Sequence, residues 1–148
     1  MTSQIDEISL KYRSSTPVSE KPVIQCPEDA YSLLLKIWDM DTILIKEEFV
    51  VLLLNNNKKC LGWSKISSGG ATATIVDVAL IFQTAIIGNS SSIIAAHNHP
   101  SGTLKPSSSD IALTRRIADA GKLLGVPLDD HIILTSDSYT SLRQKGLC

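Results

Sequence analysis

Cysteine, aromatic residues and net charge are all scarce in this chain of 148 residues. The three cysteines are an odd number and lack the two-residue spacing of metal-binding pairs, which excludes a disulfide framework and a four-cysteine zinc site. Lysine and arginine number 14 against 15 acidic residues, so the net charge is −1 and strong nucleic-acid binding is not expected. Aromatic residues make up 5% of the chain, too few for a row of base-stacking platforms.

Long apolar runs are missing as well. The longest continuous run, Phe49–Leu54, is far shorter than the roughly 20 residues that span a bilayer. The first ten residues are polar and mixed, unlike a secretory signal. With 43% hydrophobic and 20% charged residues, the composition is typical of a folded globular domain. We therefore expect a cytoplasmic protein that does not contact membranes.

Residues 1–22 are polar and rich in serine and threonine, and we expect them to form an extended arm before a single domain at residues 23–148. Ile5, Ile8 and Leu10 leave open an attachment of part of this arm to a sheet edge. That edge could belong to this chain or to a second copy, so an oligomer is compatible with the sequence.

Helical and strand-like patterns alternate through the rest of the chain. The patterns predict helices that begin at Pro27 and cover Val76–Ile87 and Ser108–Leu124. They predict strands at Phe49–Leu54, Cys60–Ile66 (stopping at Ser67-Ser68-Gly69-Gly70), Ser92–Ala96 and His131–Leu134, and a closing helix or turn at Tyr139–Lys145. The fold class is therefore α/β or α+β, with a central mixed β-sheet or small barrel flanked by helices.

Two of the three histidines stand two residues apart, where an apolar strand changes into a polar loop. In extended chain, His97 and His99 point to the same side, so that one ion can take both imidazoles. Gly102 and the prolines around it allow the chain to turn back, which brings Asp110 to the start of the next helix. Two histidines and a carboxylate leave a fourth position for water, as in a catalytic zinc site. Iron or manganese would suit the same ligands.

A simpler interpretation needs no metal. Ser107 and Asp110 have the S-x-x-D spacing of a capping box, which explains both residues as a helix start. His97 and His99 would then be turn residues at a strand end. The two interpretations are compatible, because the same residues can cap a helix and hold an ion.

The string His97-Asn98-His99-Pro100-Ser101-Gly102, followed by Pro106-Ser107, Asp110 and Thr114, resembles the JAMM motif of the JAB/MPN+ metalloproteases, and specifically its RadC-like bacterial branch. The resemblance continues at Gly69-Gly70, Leu128-x-Asp130-His131-Ile132-Ile133, Tyr139-x-Ser141 and Gly146. The resemblance covers residues 23–148. It implies a β-sheet between helices, similar to the cytidine-deaminase architecture, although the deaminase signatures themselves are absent.

The resemblance implies one zinc ion on His97, His99 and Asp110, with water as the remaining ligand. It also implies that a glutamate two residues before a phenylalanine takes the proton of that water, which selects Glu47 here. Strand alternation alone places Glu47 and Glu48 on opposite faces without saying which one faces the metal. Ser107 would donate a hydrogen bond to the oxyanion of the intermediate.

Several functions fit this resemblance. The first is a zinc-dependent hydrolase that cleaves a peptide or isopeptide bond. Asn98 stands where eukaryotic deubiquitinating members have serine or threonine, which argues against ubiquitin-type substrates. A DNA-repair accessory role is the second, although residues 1–22 are too short for the helix-hairpin-helix module of fuller RadC architectures. A catalytically silent scaffold that acts through partners is the third.

The third histidine, His131, allows two interpretations. It follows Asp130 and begins an apolar strand, so a buried histidine that is hydrogen-bonded within the core is the simpler one. A partner that supports the metal ligands from behind is the alternative.

Overall fold

Three helices and five strands follow one another in the computed structural model, which describes residues 4–69 and 75–148. In chain order they are α1 (Pro27–Ile37), β1 (Glu48–Leu54), β2 (Cys60–Ser68), α2 (Val78–Ile87), β3 (Ser92–Asn98), α3 (Ser108–Leu124), β4 (Leu128–Leu134) and β5 (Tyr139–Ser141). A short 3-10 helix at Val18–Glu20 precedes α1. Within the described residues, no helix combines the length and the apolar character needed to cross a membrane.

The strands form one mixed sheet in the order β2-β1-β3-β4-β5. Only β3 and β4 are parallel, because α3 carries the chain back from the end of one to the start of the other. The remaining neighbours are antiparallel. The sheet stays open, so the prediction of a small barrel was wrong, whereas the prediction of a mixed sheet flanked by helices is confirmed.

The two faces of the sheet pack against different helices. Along β1, alternate side chains point to opposite faces. Val50, Leu52 and Leu54 face α1 and form one core with Ile94 and Ile132. Phe49, Val51 and Leu53 face α2 and α3. They form the second core with Ile93, Ala95, Ile81 and Ile117. All seven residues of β1 are buried, as expected for a central strand covered on both sides.

Most predicted elements lie where the sequence placed them. Helix α3 has the predicted bounds, since its N-terminus is capped by Ser107 and its C-terminus ends at Gly125, whose φ is +73°. Helix α2 begins two residues later than predicted, after Asp77, whose side chain accepts a hydrogen bond from the backbone N–H of Leu80. Gly70, part of the predicted end of β2, lies outside the described residues.

The predicted closing helix or turn at Tyr139–Lys145 was wrong in its first half. Residues Tyr139–Ser141 pair with β4 as a fifth strand, and only the residues that follow form turns. The strand is only three residues long, so its own sequence gives little signal for it.

The arm contacts the outer edge of β2 through Tyr12, whose hydroxyl donates to the carbonyl of Leu61 at 3.3 Å, and through its last residues. Ile5, Ile8 and Leu10 are 81%, 93% and 70% exposed. The backbone carbonyl of Pro22 accepts a hydrogen bond from the N–H of Cys60, at the outer edge of β2.

Candidate metal centre

The end of β3 and the start of α3 bring the predicted ligands together. His97 and His99 are two residues apart in extended chain, and both side chains point to the α3 side of the sheet. The chain turns at Gly102, whose N–H donates to the carbonyl of His99 and whose φ of +83° suits glycine. Asp110 then lies in the first turn of α3, facing both imidazoles.

Four side chains place ligand atoms within 4.8 Å of one another: Glu47, His97, His99 and Asp110. The Nε2 atoms of His97 and His99 are 3.0 Å apart. One carboxylate oxygen of Asp110 is 3.2 Å from His97 Nε2, and the other is 3.2 Å from His99 Nε2. The structure thus brings together the three residues that the spacing predicted as ligands.

The donor set fits a zinc ion. Two atoms bonded to one tetrahedral zinc at about 2.0–2.1 Å lie about 3.3–3.4 Å apart, close to the spacings between the nitrogen and oxygen atoms in this cluster. The orientation of His99 fits as well, because its Nδ1 is 2.8 Å from the backbone carbonyl of Thr103. A carbonyl only accepts, so Nδ1 carries the proton and Nε2 presents its lone pair to the cluster.

Asp110 and His99 each shift the pKa of the other toward the charged form. Burial by itself raises the pKa of the Asp110 carboxyl, but the contacts from His97 and His99 and the N–H of Ser107 outweigh it and hold that pKa well below its usual range. In return, the Asp110 carboxylate raises the pKa of His99 against the opposing effect of burial. Asp110 is therefore a carboxylate over the whole ordinary pH range, as a metal ligand must be.

Glu47 and Glu48 face opposite sides, as strand alternation requires. A carboxylate oxygen of Glu47 is 3.7 Å from His97 Nε2, at the edge of the cluster. Glu48 is 2% exposed and lies on the α1 side, where it forms an ion pair with Lys65. The structure therefore places Glu47, and not Glu48, beside the predicted ligands.

Ser107 caps α3 and lies next to the cluster. Its hydroxyl oxygen accepts a hydrogen bond of 3.0 Å from the N–H of Asp110, and the Asp110 carboxylate accepts one of 2.8 Å from the N–H of Ser107. The predicted capping box is thus present. The oxygen of Asp110 that takes part in it is the same one that approaches His99, so capping fixes this carboxylate in place.

His131 satisfies both of its interpretations. It is completely buried on β4, and burial lowers the pKa of its imidazole well below the usual value. Its Nε2 lies 2.8 Å from Nδ1 of His97, and its Nδ1 lies 2.6 Å from the hydroxyl oxygen of Thr114. Thr114 belongs to the motif string, but the motif by itself assigns it no role. Its position one helical turn after Asp110 is the signal that could have singled it out.

A cavity of about 780 Å³ lies on the other side of the sheet, against α1. On its rim, Lys58 contacts the Asp129 carboxylate at 2.7 Å, and the Arg143 guanidinium donates to the backbone carbonyl of Asp129. The cluster of metal-ligand type lies away from this cavity, between β3 and α3.

Comparison with known proteins agrees with this geometry. The family described as RadC-like JAB domain matches residues 24–147. The chain belongs to this RadC-like JAB family. The resemblance seen in the motif is therefore confirmed, together with the mixed α+β fold.

Curated relatives extend the same match. A UPF0758 protein of Desulforamulus reducens is 38% identical over 135 residues, covering 90% of this chain and 58% of that protein. A UPF0758 protein of Listeria monocytogenes is 39% identical over 127 residues, covering 86% and 55%. A third, from Salinibacter ruber, is 35% identical over 144 residues, covering 95% and 59%. The chain thus spans little more than half the length of these relatives, and their names assign no reaction.

Proposed function

We propose that this domain binds one zinc ion through His97, His99 and Asp110 and hydrolyses a peptide or isopeptide bond. The observation that supports it most strongly is the convergence of two imidazole Nε2 atoms and the Asp110 carboxylate. A second carboxylate, that of Glu47, lies 3.7 Å from His97 Nε2 and is not needed as a ligand. Two histidines and one acid leave a coordination position for water, which is the arrangement of catalytic rather than structural zinc sites.

The chemistry of the proposed reaction divides between the ion and the side chains. Zinc would lower the pKa of a bound water toward about 7 and polarise the substrate carbonyl. Glu47 then accepts the proton of the attacking water and passes it to the nitrogen of the leaving amine, because its carboxylate is close to the cluster and only partly buried.

Ser107 supplies the remaining polar contact. Its oxygen accepts the capping bond from Asp110, which leaves the hydroxyl proton free to be donated. Donation to the oxyanion of the tetrahedral intermediate would stabilise charge that develops only during the reaction. Ser107 would thus act in catalysis and in helix capping at the same time.

The test compares four proteins: the parent, the double variant His97→Ala/His99→Ala, Glu47→Gln, and Glu48→Gln as the matched control. Each is stripped of metal, titrated with zinc and assayed on mixed peptide and isopeptide substrates. We expect about one zinc per chain in the parent, none in the double variant, and unchanged zinc binding in both glutamine variants. Glu47→Gln should lose roughly 10²–10⁴-fold in turnover, whereas Glu48→Gln should keep it.

Three outcomes would contradict the proposal. Failure of the parent to bind zinc would remove the metal chemistry altogether. Zinc binding without hydrolysis of any substrate would favour the silent scaffold, and salt-dependent DNA binding by the same protein would favour the repair accessory role.

A further inference from the structure

A chain of buried hydrogen bonds runs behind His97, away from the cluster. The hydroxyl of Thr114 lies 2.6 Å from the backbone carbonyl of Asp110 and 2.6 Å from Nδ1 of His131. Nε2 of His131 lies 2.8 Å from Nδ1 of His97. Thr114 and His131 have no exposed surface, and His97 is 2% exposed. Solvent therefore cannot replace any partner in this chain.

The first bond fixes the direction of the others. A backbone carbonyl only accepts, so the single hydroxyl proton of Thr114 points to the backbone carbonyl oxygen of Asp110. The hydroxyl oxygen must then accept from His131, which places the proton of that imidazole on Nδ1. A fully buried imidazole without a carboxylate against it stays neutral, since a buried charge is costly. Its Nε2 therefore has a lone pair and accepts from Nδ1–H of His97.

We propose that Thr114 is a positioning residue that sets the tautomer of His97 through His131. With its proton on Nδ1, His97 presents the lone pair of Nε2 to the cluster, which is the form a metal ion requires. Threonine inside a helix commonly bonds the carbonyl four residues before it. Here that ordinary bond turns the hydroxyl into an acceptor at the one position where His131 needs it. The inference rests on the proposed metal site, but the tautomer can be measured without metal.

Thr114→Val and Thr114→Ser form a matched pair of variants. Valine keeps the branched shape and removes the hydroxyl, whereas serine keeps the hydroxyl. Without an acceptor for Nδ1–H, the proton of His131 moves to Nε2, where it donates to Nδ1 of His97. The proton of His97 then occupies Nε2 and blocks the ligand position.

The first measurement is the histidine tautomer in metal-free protein, from two-bond ¹H–¹⁵N NMR correlations at a pH well above the ordinary imidazole pKa of about 6.5. We expect His97 to carry its proton on Nδ1 in the parent and in Thr114→Ser, and on Nε2 in Thr114→Val. A purely structural role for Thr114 would not move this signature. An Nε2–H tautomer in the parent, or an unchanged tautomer in Thr114→Val, would overturn the inference.

The second measurement is zinc affinity, by competition with a chelator. Thr114→Val should bind zinc about 10–100-fold more weakly than the parent, the usual cost of losing support behind a ligand, and Thr114→Ser should restore most of the affinity. Circular dichroism checks that each variant is folded, and Thr114→Ala replaces valine if the latter is not. If no protein binds zinc, the proposed function fails while the NMR result still decides the inference. Equal zinc affinity in all folded variants would overturn it.

Discussion

The side chain of Asn98 accepts a hydrogen bond of 2.8 Å from the backbone N–H of Glu48. Its amide nitrogen donates to the carbonyls of Ile43 at 2.7 Å and Lys46 at 3.0 Å. Asn98 stands between the two histidines but points to the other face of the sheet, as alternation requires. The residue between the two histidines therefore attaches the segment that carries Glu47 to the strand that carries His97.

Replacing Asn98 with alanine should affect the stability of the fold and the position of Glu47, but not the proposed zinc ligands. The loss leaves one buried N–H and two carbonyls without partners, so we expect the free energy of unfolding to fall by roughly 1–3 kcal/mol. Zinc affinity should change little, because the ligands belong to β3 and α3. Turnover should fall much more than zinc affinity, because the segment that carries Glu47 is no longer attached to β3. Urea denaturation, chelator competition and the peptide assay measure the three quantities.

Asn56→Ala is the matched control, since Asn56 is exposed in the turn between β1 and β2. It should leave all three quantities unchanged. If Asn98→Ala lowered zinc affinity as much as turnover, Asn98 would support the ligands rather than Glu47.

The two roles of Ser107 can be separated by aspartate. Ser107→Ala removes the cap and should cost about 1 kcal/mol of stability, whereas Ser107→Asp keeps an acceptor for the N–H of Asp110 and should preserve most of that stability. Neither variant can donate to an oxyanion, so both should lose roughly 10²–10³-fold in turnover. Thermal unfolding and the hydrolysis assay provide the comparison. Full activity in Ser107→Asp would leave Ser107 with capping alone.

Local signals explain what the sequence could predict. Helix α3 has a capping box at Ser107, an apolar stripe and a glycine after its end, and each signal acts within a few residues of the element it defines. The grouping of His97, His99 and Asp110 follows from the same local reasoning, since a strand, a glycine turn and a helix start join them. Glu47 came from the family resemblance, because alternation could not choose between it and Glu48.

Distant contacts explain what the sequence could not predict. Thr114 and His131 are 17 residues apart, and His131 and His97 are 34 apart. Asn98 reaches Glu48 across 50 residues. These contacts exist only because the sheet order places β3 between β1 and β4. The strand β5 was missed for a different reason, since it pairs with the neighbouring β4 but is too short to show a strand pattern.

Gly121 permits the close return of the chain from α3 into β4. A methyl group there would lie 2.5 Å from the carbonyl oxygen of Val126 and 3.3 Å from Cα of Pro127, and both belong to backbone that cannot turn aside. We expect Gly121→Ala to lower the free energy of unfolding by about 1–3 kcal/mol, although alanine favours the helix. Gly62→Ala is the control, because nothing lies within 4 Å of its added methyl group. Equal unfolding midpoints in urea for the two variants would contradict this packing.

The three cysteines should react with a thiol reagent at different rates in the folded protein. Cys60 is 6% exposed within the core against α1, and burial raises the pKa of its thiol. Burial also raises the pKa of Cys148, to about 11. The N–H of Asp29 favours the Cys26 thiolate, but slight desolvation and the carboxylates of Glu28 and Asp29 outweigh it and raise the pKa of this thiol as well. Its side chain is nevertheless exposed.

Exposure separates Cys26 and Cys148 from the buried Cys60, and the raised pKa of about 11 slows the reaction of Cys148. At about pH 8 we expect alkylation of Cys26 first, then Cys148, with Cys60 protected until the protein unfolds. Because the thiolate is the reactive form, the rate at Cys148 should keep rising with pH until it levels off near its pKa of about 11. Mass spectrometry of timed digests gives all three rates, and labelling in concentrated urea should make them similar. Rapid alkylation of Cys60 in the folded protein would contradict the packing of α1 over β1 and β2.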